Sequence, residues 1–180
     1  MTIPRAPKIY HIVHVDRLPS IVADNGLLCD AEVERRRPPG STIRMSNIKQ
    51  RRLNDLRLTS HRDLYVGDCV PFYFCPRSVM LYVIHMANDP QLSFRGGQGP
   101  IVHLRADLRQ TVAWADANDR RWAFTLANAG SRYFEDRADL SQLDEIDWSA
   151  VRSRQWGGSG IPSSVKEAKQ SEFLLEHAFP

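Results

Sequence analysis

Cysteine is scarce in this chain, and the three present, Cys29, Cys69 and Cys75, make an odd number. Their spacings match neither a zinc ribbon nor a redox pair, so a disulfide framework is excluded and reduced thiols in a cytoplasmic setting are expected. Nowhere do about 18 apolar residues run together, and the opening Met-Thr-Ile-Pro-Arg-Ala-Pro-Lys has no apolar stretch of a signal peptide. The expectation is a protein that neither spans a membrane nor leaves the cell by that route. The six histidines show no His-x-Glu or paired-cysteine pattern, so no metal is expected. Gly-x-Ser-x-Gly is missing too, which removes the commonest signature of a serine hydrolase. Gly157-Gly-Ser-Gly has the composition of a linker, and Arg95-Gly-Gly-Gln-Gly lacks the spacing of a phosphate-binding loop.

What the chain does have is enough material for one core. At 180 residues, with 42% hydrophobic and 25% charged side chains, residues 1–180 fit one domain that needs no staples. Net charge is only +3, but it is unevenly spread. Between Val33 and Arg62 stand Arg35, Arg36, Arg37, Arg44, Lys49, Arg51, Arg52, Arg57 and Arg62, against Glu34 and Asp55. Between Tyr133 and Asp147 the sign reverses, with six acidic side chains against Arg137. A local basic segment in a nearly balanced protein suggests a polyanion site, the alternative being a solvated loop.

Residues 9–15 are rich in β-branched and aromatic side chains and predict a strand carrying His11 and His14. Three residues apart on a pleat, those two histidines point to opposite faces, so at most one lines a given site. Asp16 can cap a short helix through Ala23, which Asn25-Gly26 would stop. Residues 30–46 show no apolar period and are expected as a loop, followed by a helix over 47–56 on which Arg51 and Arg52 cannot face the same way. Residues 100–104, 111–114 and 122–125 look like short strands, and 126–132 like a loop. Asp147 can cap a helix over 148–156, and residues 172–178 read as the last strand. Short helices interleaved irregularly with strands favour an α+β fold.

The segment from Val70 to Ile84 is two apolar runs broken by Pro76-Arg77-Ser78. Proline lacks a ladder donor and fixes its φ, so the chain must leave the sheet there and display a polar ledge beside buried aromatics. Glu172 opens the terminal strand, where a carboxylate is partly desolvated and suited to general-base or cation-stabilising work.

Four blocks occur in one order: residues 9–22, Ile48-Lys-Gln-Arg-Arg-Leu, the 70–82 block and Gln170-Ser-Glu-Phe-Leu. In this the chain resembles the DarT family, DNA ADP-ribosyltransferase toxins of bacterial toxin–antitoxin pairs. The resemblance implies an ADP-ribosyltransferase fold with two packed β-sheets forming an NAD cleft, peripheral helices, and NAD consumed as substrate. It implies Glu172 and Arg52 as catalytic residues, with Arg51 one slip away from Arg52. His14, Tyr73, Arg77, Met80 and Tyr82 would bind NAD, and Lys49, Arg51, Arg57 and Asn128 would meet DNA. The acceptor would be a base, thymine by overall similarity, in single-stranded DNA, and the partner a macrodomain antitoxin that removes ADP-ribose. Transfer to RNA or protein, or a nucleic-acid-binding module without catalysis, stay open beside it. Val79 replaces the proline usual in Pro-Arg-Ser-Pro-Met, and Thr125-Leu-Ala-Asn-Ala replaces Ser-Asp-Gly-Asn-Ala in the loop expected to face DNA. Similar proteins continue with another strand beyond Phe179-Pro180, so a missing C-terminal strand is part of the expectation.

Overall fold

The computed structural model describes residues 2–43 and 45–180, with the side chain of Ser46 also left outside. Arg44 of the basic segment therefore lies outside the described residues. A six-stranded antiparallel sheet carries the molecule, in the order β4-β1-β3-β7-β5-β6. Its strands are β1 (Lys8–His14), β3 (Cys69–Tyr73), β4 (Ile101–Asp107), β5 (Trp122–Asn128), β6 (Asp136–Arg137) and β7 (Ser171–Glu176). A second sheet pairs β2 (Leu27–Leu28) with β8 (Ala178–Phe179). Helices α1 (Leu18–Ala23), α2 (Asp30–Arg36), α3 (Ser46–Asn54), α4 (Val79–Met86), α5 (Leu108–Ala117), α6 (Trp148–Arg152) and α7 (Ser163–Ala168) surround them. The expected α+β class with two sheets is what the chain adopts.

β7 sits between β3 and β5, and Ser171 to Leu175 are all buried, as a strand covered on both faces requires. Alternation sends Phe173 and Leu175 to the larger core with Phe72 and Trp122, while Leu174 joins Leu58, Val66 and Ala129 in a second cluster. Glu172 shares Leu174's side of the strand. The small sheet closes one end, where the Phe179 ring packs edge-on against Phe72 with centroids 5.1 Å apart.

The interrupted block behaves as its chemistry predicts. β3 ends before Pro76, and Ser78 caps α4, its hydroxyl accepting the Leu81 N–H at 3.1 Å. The stop after α1 is also as expected, with Asn25 and Gly26 both at positive φ.

Three expectations fail. Asp16 does not cap α1, which starts after Arg17 without a side-chain cap, because its carboxylate accepts from Ser41 instead. Residues 30–36 are helical, because the helix is held by charge rather than by an apolar period. Asp30 and Glu32 stand in its first turn and Arg35 and Arg36 in its last, and Glu32 accepts from both arginines before Arg37 turns left-handed at the C-cap. Residues 111–114 are the middle of α5, not a strand. Asp107 caps that helix through the Gln110 N–H, and Leu108, Thr111, Val112 and Ala115 bury one face at helical spacing. Two boundaries also move: β5 continues through Asn128, and α6 stops at Arg152.

Candidate active site

Register builds the site. Tyr73 on β3 lies directly opposite Glu172 on β7, and α3 crosses above them so that Arg52 points inward while Arg51 stays exposed. Gly67 permits that crossing, since a Cβ there would stand 2.9 Å from the Arg52 carbonyl oxygen and 2.8 Å from the Leu53 Cα. Arg52 and Glu172 are 8% and 3% exposed. The guanidinium forks onto the carboxylate, Nη1 to Oε1 at 3.2 Å and Nη2 to Oε2 at 3.0 Å. Glu172 is fixed from behind as well. Its N–H donates to the Thr125 hydroxyl at 2.9 Å, and that hydroxyl donates to the Ala127 carbonyl at 2.6 Å.

Burial opposes a charge on Arg52, but the Glu172 carboxylate, its hydrogen bonds and the nearby Asp30 carboxylate outweigh it, and the guanidinium titrates above its ordinary value. A buried fork of this kind costs about 3–5 kcal/mol to break from one side, because the remaining charge is stranded. It therefore holds the Glu172 carboxylate in one orientation at the floor of the cleft. Arg52 keeps one donor in reserve: its Nε is buried and finds no hydrogen-bond partner among the described residues.

The cleft around this pair encloses about 870 Å³ including its open mouth, within the usual range for ligand sites. Ile12, Ile48, Met80 and Val83 give it apolar walls, and His11, Asp30, Lys49, Asn128 and Gln170 add polar groups. It continues into a second hollow that shares His11, Asp30, Ile43 and Lys49 with it and runs on to Arg17 and Asp24. The loop over this extension is pinned by β1's end: Asp16 accepts the Ser41 N–H and hydroxyl, and Arg17 donates to the Pro38 and Ser41 carbonyls. The result is an elongated apolar trough with a carboxylate at one point and a spare guanidinium donor beside it. NAD fits that chemistry, being long, amphipathic and rich in acceptors that can satisfy Arg52 Nε.

Of the residues expected at the site, Glu172, Arg52, Tyr73, Met80, Lys49 and Asn128 line the cleft. His14, Arg77, Tyr82, Arg51 and Arg57 do not. His14 packs edge-on against Phe94 and accepts the Asp16 N–H, while its strand neighbour His11 faces the cleft with Nδ1 2.8 Å from the Pro71 carbonyl oxygen. Strand alternation separated the two histidines without saying which one pointed in. Arg77 lines a different cavity, Tyr82 packs against Trp156, and Arg57 lies over the Tyr65 ring at 4.0 Å. Asp30 and Gln170 were not anticipated. Asp30 fell in a stretch read as loop, although a buried acid at a helix start beside an arginine helix was the available signal.

The fold and the cleft are those of an ADP-ribosyltransferase. The whole chain superposes on 79% of Thermus sp. 2.9 DarT in complex with ADP-ribosylated single-stranded DNA, with a TM-score of 0.85 at 31% identity. Against the same Thermus protein in complex with NAD+ the TM-score is 0.78 at 29% identity, covering 99% of this chain and 79% of that one. Residues 10–180 match the family described as ssDNA thymidine ADP-ribosyltransferase, DarT. In sequence the chain is 35% identical over 183 residues to the DNA ADP-ribosyl transferase of Thermus sp. (strain 2.9), covering 99% of this chain and 79% of the relative. It is 28% identical over 170 residues to the corresponding Mycobacterium tuberculosis protein, covering 93% and 69%. A stretch of 79 residues, 44% of this chain, is 35% identical to 19% of a DNA ADP-ribosyl transferase–glycohydrolase fusion protein of Thermosipho africanus. The chain belongs to the DarT family and is an NAD-dependent DNA ADP-ribosyltransferase.

Proposed function

We propose that the chain moves the ADP-ribosyl group of NAD onto thymine in single-stranded DNA, with Glu172 as the catalytic carboxylate and Arg52 as the group that holds it. The observation that carries this reading is the buried Arg52–Glu172 fork at the floor of an elongated cleft. As the bond between nicotinamide nitrogen and ribose C1′ breaks, its electron pair goes to the nicotinamide ring and positive charge spreads over C1′ and the ribose ring oxygen. A carboxylate already held in place is the appropriate counter-charge, and it costs no reorganisation at that moment. The lone pairs that Arg52 leaves uncovered accept a ribose hydroxyl. Thymine then attacks C1′ through its ring N–H nitrogen, and Glu172 takes the displaced proton. The products are ADP-ribosylated base, free nicotinamide and one proton.

Arg52 Nε, Lys49 and Tyr73 are placed to orient the dinucleotide, and Met80 and Val83 exclude water from it. Asn128 donates to the Gln170 side chain at 3.1 Å and accepts the Gly130 N–H, which supports a role for this corner in presenting the acceptor base. Single strands suit the cleft because a base in a duplex must first be unstacked, at a few kcal/mol. Three buried free thiols suit a reducing cytoplasm, and no helix among the described residues is long and apolar enough to cross a membrane. A macrodomain antitoxin that removes ADP-ribose is the matching partner, a reading supported by the transferase–glycohydrolase fusion among the relatives.

Glu172→Gln keeps the side chain's shape and removes its charge. It should melt earlier than the wild type, because the buried Arg52 loses its counter-charge, yet fold below that melting point, retain NAD binding by calorimetry, and lose about 100- to 1000-fold in labelling of a thymine-containing oligonucleotide followed by mass spectrometry. Labelling at the wild-type rate would remove Glu172 from the chemistry.

A further inference from the structure

Four of the nine cations in the arginine-rich stretch are held in ion pairs with carboxylates among the described residues. Arg35 and Arg36 are paired with Glu32, Lys49 with Glu34 and Arg52 with Glu172. Positive charge without a carboxylate gathers elsewhere. One cavity lies between the N-terminal segment, the end of β3 and the stretch following α6, and Lys8, Arg77, Arg152, Arg154 and Lys169 line it with no acidic side chain among them. Lys8 is paired with Asp107. Arg77, Arg152 and Arg154 are exposed and make no ion pair among the described residues. Lys169 is only 2% exposed, and its amine donates to the Val151 carbonyl at 2.8 Å and meets the Cys75 thiol at 3.6 Å, with no carboxylate beside it among the described residues. Holding four cations together in this way disfavours the empty protein unless an anion compensates them.

The cavity is separate from the cleft but close to it. Cys75 follows Tyr73 by two residues, about 7 Å along an extended chain, and Lys169 precedes Glu172 by three. Arg154 also lines the adjoining hollow, where Tyr82 and Trp156 meet edge to face at 5.1 Å and Tyr82 is 47% exposed. Unpaired cations beside an aromatic pair with one exposed ring are the combination that tracks a single strand, charge taking the phosphates and rings taking the bases.

We propose that this cavity holds the sugar-phosphate backbone beside the nucleotide being modified, so that the strand runs past Arg77, Arg152 and Arg154 rather than along α3. The proposal rests on the single-stranded DNA reading above and adds where the strand lies. It also reassigns Arg77 from the cofactor to the acceptor.

The test is oligonucleotide binding by fluorescence anisotropy across a salt series, with Arg77→Gln, Arg152→Gln and Arg154→Gln compared with Arg51→Gln and Arg57→Gln. All five side chains are exposed, and NAD affinity measured alongside reports on the integrity of the fold. Each of the first three should weaken binding of every sequence alike and flatten the slope of log affinity against log salt by about 0.7. The Arg51 and Arg57 variants should leave the slope as it is. The reverse pattern, or unchanged slopes in the first three with a wild type that binds, overturns the cavity while the transferase reading stands. A wild type that neither binds nor labels single strands overturns both.

Discussion

Thr125 carries a duty that its neighbours cannot share. β5 and β7 shift register between Phe124 and Asn128, and across that irregularity the Thr125 hydroxyl takes the Glu172 N–H. Thr125→Val keeps the shape, strands a buried N–H at about 1–3 kcal/mol, and loosens the strand beneath the carboxylate. The variant should melt earlier and lose kcat more than KM rises, while Thr125→Ser restores both. A valine variant with wild-type kcat would make the hydroxyl merely structural. At this scale the sequence was a partial guide. Helical phase separated Arg51 from Arg52, but only packing against β7 decides which is buried. Gln170 gave no sign of its place, since its role depends on a strand partner 42 residues away, Asn128.

Helix α3 shows how an element positions chemistry with little affinity of its own for the core. It is poor in apolar residues and is seated by the turn at Val66–Asp68, where Gly67 lets the backbones meet. Gly67→Ala forces a Cβ against the Leu53 Cα and the Arg52 carbonyl, and backbone cannot yield as a side-chain tip can. It should lower the melting temperature, and by shifting Arg52 reduce oligonucleotide labelling at least tenfold, a loss read from initial rates at saturating NAD. Elements whose local signal is not a short apolar run were the illegible ones. α2 depends on charge pairs, and α5 shows its apolar spacing only over a window longer than the four residues that looked like a strand. β1, β3, β5 and β7 were legible because their short runs of apolar and β-branched residues read as strands whatever surrounds them.

Across the whole molecule, several acidic residues of 135–147 tie the chain to itself, Glu135 and Glu145 through Arg137 and Asp136 through Thr59 and Ser60. Asp136 is the tightest, accepting the Thr59 and Ser60 N–H groups and both hydroxyls and so binding β6 to the segment after α3. Burial would raise its pKa, but those four donors prevail and hold it below the ordinary 3.8. A depressed carboxylate means that the unfolded chain binds the extra proton first. Its contribution is therefore full above about pH 4 and fades as pH falls through the folded value. Asp136→Asn should destabilise the protein at neutral pH and show a shallower loss of melting temperature than the wild type as pH falls below about 4. Lastly, β7 is an inner strand with Glu172 facing a walled cleft, so the sheet's open edges at β4 and β6 give no access to the reacting atoms. A partner that blocks the reaction by contact has to cover the cleft itself. The proposed partner, which would remove ADP-ribose from the DNA, needs no access to that cleft at all.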